Sequence, residues 1–292
     1  MSVKLASRPV GTRLIIMAAV LALGGLLATA GQAGSARAAT VRTEHAAAVT
    51  GTGSARPTIV LVHGAWADAG SWNAVIGLLQ RAGYTVYAPP NPLEGLAIDT
   101  ATLADFLQHT ITGPIVLVGH SYGGEVITNA ATGNSQVKAL VYDDAYLPKQ
   151  GEDLTVLTTP GSCFAVQDPS TVLNVVADPV SPSGAVAYVK PTVFPGCFAN
   201  GLPASAGAVL AATQRPLATS TFTDQSGVPA WQTIPSWDVV GTADHVVTPA
   251  EQLFMAKRAH AHITEIDAPH LSMITDPGVV ASVIIQAAQA TS

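Results

Sequence analysis

From Pro57 onward, short apolar runs alternate with stretches whose apolar residues recur at helical spacing. Thr58-Ile59-Val60-Leu61-Val62 is continuous, β-branched and ends at His63-Gly64, which predicts a strand buried on both faces. Ser71 is placed to cap a helix over Trp72 to Arg81, which Gly83 stops. Tyr84 to Ala88 predicts a strand closed by Pro89-Pro90, and a helix over about Ile98–His109 follows. Ile115-Val116-Leu117-Val118 predicts another buried strand, a helix opens just after Ser121, and Val137 to Tyr142 predicts the next strand.

The alternation stops after Leu147-Pro148. From there to about Pro235 the chain is rich in Pro, Gly, Ser and Thr, then the rhythm resumes. Trp237-Asp238-Val239-Val240 predicts a strand, Pro249 to Ala259 a helix, and Ile263-Thr264-Glu265-Ile266 a last strand. Asp276-Pro277 opens a terminal helix running to Ala288. Because the pattern resumes, 148–235 reads as a cap inserted into one domain. Alternating strands and helices imply an α/β class with a mostly parallel central sheet flanked by helices.

Composition changes the picture at the N-terminus. Arg8 and Arg13 precede an unbroken apolar run from Leu14 to Ala28, and Ala36-Arg37-Ala38 follows. A positive segment, an apolar segment and an A-x-A site predict a signal peptide over 1–38. The run is short for a spanning helix, which needs roughly 20 apolar residues, so a secreted protein with no stable membrane anchor is expected. Residues 39–56 read as a flexible mature N-terminus and 57–292 as the domain. Cys163 and Cys197 form an even pair in an oxidising compartment, which predicts a disulfide. Nothing beside them supplies further zinc ligands. Lys and Arg total 13, scattered within a net charge of −6, so no nucleic-acid partner is expected.

Candidate chemistry centres on Gly119-His120-Ser121-Tyr122-Gly123, a G-x-S-x-G placed directly after a strand and before a helix. That context holds a serine hydroxyl above the carboxyl edge of the sheet. A serine needs a base. His270, in Ala268-Pro269-His270, lies just past the last strand and so at the same edge. Asp244, in Gly241-Thr242-Ala243-Asp244, follows the preceding strand and completes the order Ser…Asp…His. Asp144 is the rival acid and otherwise a pocket or hinge residue. Backbone N–H groups of Ala65 and Tyr122 are the candidate oxyanion donors. His63, Gly64 and Trp66 are candidate pocket residues, His63 more as a brace for its loop than as a proton carrier.

Taken together, Val60-Leu61-Val62-His63-Gly64-Ala65-Trp66, the 119–124 elbow, Gly241-Thr242-Ala243-Asp244 and Ala268-Pro269-His270-Leu271-Ser272-Met273 resemble the α/β-hydrolases related to plant methylesterases and hydroxynitrile lyases, with their bacterial esterase cousins. The resemblance covers most of 57–292 but matches poorly in the cap. It implies the triad Ser121, Asp244 and His270 and no cofactor or metal. Hydroxynitrile lyases of that group carry a threonine in the first oxyanion loop and a lysine after the catalytic histidine. Gly64 and Leu271 stand at those places here, which points to ester hydrolysis.

The expectation is therefore a secreted serine hydrolase that cleaves carboxylic esters of small molecules through an acyl-enzyme. Two alternatives stand beside it: a cofactor-free lyase, acyl-transfer or perhydrolase activity on the same triad, and a ligand-binding protein that retains the hydrolase framework.

Overall fold

The computed structural model describes residues 56–291. The signal peptide and nearly all of the mature N-terminus expected from the sequence lie outside the described residues. In chain order the first elements are β1 (Thr58–Val62), α1 (Asn73–Arg81), β2 (Val86–Tyr87), α2 (Leu96–Thr110), β3 (Ile115–His120), α3 (Tyr122–Ala130) and β4 (Val137–Asp143). After Pro148 come α4 (Leu154–Leu157), β5 (Leu173–Ala177), β6 (Ala185–Val189), α5 (Ala204–Thr213) and β7 (Leu217–Ala218). The chain closes with β8 (Ser236–Gly241), α6 (Pro249–Arg258), β9 (His262–Ile266), α7 (Ser272–Thr275) and α8 (Pro277–Ala290).

Six strands form one parallel sheet in the order β2-β1-β3-β4-β8-β9. Every residue of β3 and β8 is buried, the apolar run of β3 as expected and β8 with Asp238 enclosed among Trp237, Val239 and Val240. Each fully buried Val, Leu or Ile contributes about 1.5–3 kcal/mol relative to exposure. Helices α1 and α8 pack together as one layer and α2 and α3 as another. From β1 the chain steps outward to β2, then crosses back to β3 on the far side of β1. Loops leaving the carboxyl ends of β1 and β3 therefore diverge and open a crevice between them, where open α/β sheets bind ligands.

Two local expectations change. Only Val86–Tyr87 of the Tyr84–Ala88 run joins the sheet, pairing with Ile59 and Val60. The strand lies on the edge, and Pro89-Pro90 has no N–H with which to extend the ladder. Ser71 does not cap α1. The Asp68 carboxylate accepts the Gly70 N–H at 2.6 Å and starts a 3₁₀ turn over Ala69–Trp72, while the Ser71 hydroxyl donates to the Asp68 carbonyl.

The inserted segment holds a three-stranded antiparallel sheet, β5-β6-β7, which composition had not announced. The disulfide Cys163–Cys197 joins two loops of this segment, with Cα atoms 5.7 Å apart.

Candidate active site

Ser121 sits between β3 and α3 at φ 52, ψ −125, a conformation that a side-chain-bearing residue adopts only when its surroundings impose it. The surroundings here are backbone. A Cβ on Gly119 would meet the Gly123 carbonyl at 2.5 Å, and one on Gly123 would meet the Val62 carbonyl at 2.5 Å. The two glycines thus let the turn close against β1. Tyr146 and Gly124 donate their N–H groups to the Ser121 carbonyl at 3.2 and 2.9 Å and pin it.

His270 reaches this serine from the loop after β9. Its Nε2 lies 3.1 Å from Ser121 Oγ, and its Nδ1 lies 2.9 Å from Asp244 Oδ2. The carboxylate accepts, so Nδ1 carries the proton and Nε2 presents a lone pair to the serine hydroxyl. Asp244 Oδ1 accepts the Val246 and Val247 N–H groups at 2.6 and 3.1 Å, and Oδ2 also accepts Gln252 Nε2 at 2.8 Å. All four partners donate, which is the set an ionised carboxylate takes. The three side chains that the sequence singled out are therefore one hydrogen-bonded chain, and all three are buried.

The β1 loop approaches from the other side. A Cβ on Gly64 would lie 2.8 Å from the Ser121 Cβ, so only glycine fits this close pass. Ala65 follows and is buried beside the serine. Tyr122 is the first residue of α3, so its N–H has no carbonyl one turn earlier in the helix. His63 does not enter the site. Its Nδ1–H donates to the Gly64 carbonyl at 3.0 Å, and its Nε2 accepts the Asn91 N–H at 3.0 Å. Burial, reinforced by the nearby Arg215, lowers its pKa to about 4, so it braces the loop as a neutral ring.

A cavity of about 420 Å³ opens over Ser121 between this loop and the cap. Ala65, Trp66 and Tyr122 line it from the sheet side, and Phe164, Leu217 and Phe222 line it from the cap. None of its lining residues is charged. Asp144, named as a pocket candidate, does not line it. At φ 47 and fully buried, it accepts the Gly241 N–H at 2.8 Å and the Ser272 N–H at 3.3 Å, tying β4 to β8 and to the His270 loop. His63 and Gly64 likewise lie behind the cavity rather than in it.

The sequence profile of the alpha/beta hydrolase family matches residues 59–283. The chain belongs to that family. A carbendazim-hydrolyzing esterase of Nocardioides sp. (strain SG-4G) is 34% identical over 110 residues, 34% of this chain and 46% of that one. A pyrethroid hydrolase of Sphingobium wenxiniae is 33% identical over 115 residues, 35% of this chain and 41% of that one. The chain thus spans less than half the length of either curated relative. Among solved structures, an extracellular α/β-hydrolase from a Paenibacillus species, which shares structural and functional homology with tobacco salicylic acid binding protein 2, superposes with a TM-score of 0.66. It is 19% identical and covers 79% of this chain and 98% of that one, a likeness of fold.

Within this hydrolase frame, sequence reasoning passed over two residues that hold the site. Gln252 of α6 reaches Asp244, and a lone Gln on a helix gave no sign that its target came from another segment. His120, read as the variable position of the elbow, donates Nε2–H to the His270 carbonyl at 2.8 Å. Its ring lies 4.7 Å from the His270 ring, and burial drives its pKa well down, so it too is neutral. A histidine at that position, one residue before the serine, was the available signal.

Proposed function

We propose that this protein is a serine hydrolase that cleaves uncharged carboxylic esters of small molecules through an acyl-enzyme. The observation that carries the reading is the Ser121–His270–Asp244 hydrogen-bond chain beneath an uncharged, largely apolar cavity. His270 takes the Ser121 proton as Oγ attacks the ester carbonyl carbon, and the Ala65 and Tyr122 N–H groups receive the oxyanion. The tetrahedral intermediate collapses, and the alcohol leaves with the proton from His270. Water then gives its proton to His270, attacks the acyl carbon and releases the acid, restoring Ser121. The two curated relatives, an esterase and a pyrethroid hydrolase by name, support ester chemistry. Gly64 and Leu271 supply neither the hydroxyl nor the ammonium that the hydroxynitrile lyases carry at those places, which favours hydrolysis over cyanide chemistry.

Export is part of the same proposal. The signal-peptide pattern over 1–38 and the Cys163–Cys197 disulfide both suit an oxidising compartment. No helix among the described residues is long and apolar enough to cross a membrane.

The deciding experiment is hydrolysis of p-nitrophenyl esters, acetate through palmitate, by the purified protein and its Ser121→Ala variant, with fluorophosphonate labelling of both. Turnover and stoichiometric labelling that depend on Ser121 support the reading. Turnover that survives in Ser121→Ala overturns it.

A further inference from the structure

Two cavities share one wall. The first lies over Ser121. The second, of about 220 Å³, lies on the far side of Trp66 against Phe194, Phe198, Leu210, Leu271 and Ile274. Trp66 borders both. Its ring packs 5.2 Å from Phe164 and 6.2 Å from Phe222, both in the wall of the first cavity. On the other side it meets Phe198 edge-on at 5.8 Å, in the wall of the second.

The indole is held there by more than packing. Trp66 has φ 56, a left-handed conformation that a bulky residue keeps only when its neighbours enforce it. Its Nε1–H donates to the Ala187 carbonyl of β6 at 3.0 Å, and its own carbonyl accepts the Arg215 N–H at 3.3 Å. Both partners belong to the inserted segment, so a residue of the β1 loop is fixed in place by the cap.

Two residues in the wall of the second cavity adjoin the buried His270. Phe198 lies edge-on to His270 at 5.2 Å, and Leu271 follows His270 in the chain. In ester cleavage the departing alcohol takes its proton from the catalytic histidine, so the alcohol is the part of the substrate on this side.

We propose that Trp66 is a specificity-determining residue, a partition that limits the alcohol portion of the ester by closing off an apolar subsite against Phe194, Phe198 and Leu210. The inference rests on the ester-hydrolase reading above. The subsite suits an uncharged aliphatic or aromatic group. Asp68 at its outer rim disfavours an anion.

The test is kcat/KM for ethyl, p-nitrophenyl and 1-naphthyl acetates with Trp66→Leu and Trp66→Ala, each checked by circular dichroism. Both variants are expected to raise the naphthyl-to-ethyl ratio at least about tenfold. Leu210→Trp, which fills the second cavity, is expected to leave the wild-type ratio unchanged and to abolish the gain when added to Trp66→Leu. An unchanged ratio in folded, ethyl acetate-cleaving Trp66 variants overturns the proposal. So does a shift caused by Leu210→Trp alone, which means that the wall is already open. Loss of ethyl acetate hydrolysis in both Trp66 variants also overturns it and assigns Trp66 to support of its loop. A wild type inert to every acetate and unlabelled by fluorophosphonate instead fails the hydrolase reading itself, and this inference falls with it.

Discussion

Gln252 and His270 meet at one atom. The Gln252 amide donates to Asp244 Oδ2 at 2.8 Å, and His270 Nδ1 donates to the same oxygen at 2.9 Å. The Gln252 amide also donates to the Val247 carbonyl at 2.8 Å, so α6 fixes both the carboxylate and its loop. A hydrogen bond to a charged group is worth roughly 1.5–3 kcal/mol. Gln252→Leu is therefore expected to lower kcat by about ten- to a hundredfold while KM changes little, because Gln252 does not border the cavity. Gln252→Glu is expected to be worse, since it sets a second carboxyl against Asp244. Steady-state kinetics on one short ester decides this. A purely structural role predicts a lower melting temperature with kcat unchanged.

The sequence exposed the parts of this site that depend on local backbone. Gly119, Ser121 and Gly123 announce the elbow, because a strand, a strained turn and a helix leave a contiguous pattern. Asp244 and His270 were legible by their places after successive strands. Gln252 and His120 were not, because their partners come from residues 8 and 150 positions away and no spacing rule encodes that meeting. Asp144 misled for a related reason: its position after β4 suggested a pocket, but its two carboxyl oxygens turn to the backbone N–H groups of Gly241 at the end of β8 and of Ser272 beyond His270. The cap sheet was hidden by composition. Its first hairpin pairs Leu173–Ala177 with Ala185–Val189, but the two short runs lie in a stretch whose Pro, Gly, Ser and Thr content masks their alternation.

His120 supplies a second prediction. Its Nε2–H to the His270 carbonyl at 2.8 Å and its ring against the imidazole set the height of His270 above Ser121. A misplacement of about 1 Å costs on the order of a hundredfold in rate. His120→Ala is expected to reduce kcat by that order with KM nearly unchanged, and His120→Gln, which retains a donor, is expected to recover part of it. Equal losses in the two variants would remove the hydrogen bond from the explanation.

Stability should fall as pH rises through the neutral range. Burial raises Asp99 to about 6 and Asp143 to about 7, and lifts Asp144, Asp238 and Glu125 well above the usual carboxylate range. Above about pH 4 the unfolded chain releases these protons and the folded one keeps them, so stability declines with pH until each folded group ionises. His63 and His120 act oppositely, because the unfolded rings bind protons below about pH 6.5 and the buried ones refuse them. Their effect is spent above that pH, which leaves the acids to set the slope. The melting temperature is expected to peak on the acidic side of neutral and to decline toward pH 8. Asp238, whose two carboxylate oxygens have no partner, gives the clearest check: Asp238→Asn should flatten the decline. A melting temperature that climbs from pH 6 to pH 8 would falsify this account.

The disulfide is expected to bear on activity as well as on stability. Cys163 donates its N–H to the His245 carbonyl at 2.8 Å, and Ser162 Oγ donates to the Val246 carbonyl at 2.7 Å. The N–H groups of Val246 and Val247 are the ones that hold Asp244. Cys163–Cys197 thus clamps the segment that lies directly on the Asp244 loop. Closing a loop of this length is worth about 3–4 kcal/mol in the chain-entropy model. At roughly 2–4 °C per kcal/mol for a domain of this size, reduction or the double variant Cys163→Ser with Cys197→Ser should lower the melting temperature by roughly 10 °C. Because the clamp bears on the Asp244 loop, kcat is also expected to fall at temperatures well below that melting point, where the fold is still intact. A lower melting temperature with kcat unchanged at 25 °C would confine the disulfide to stability, because Gln252 and the two backbone donors then suffice to hold Asp244 against His270.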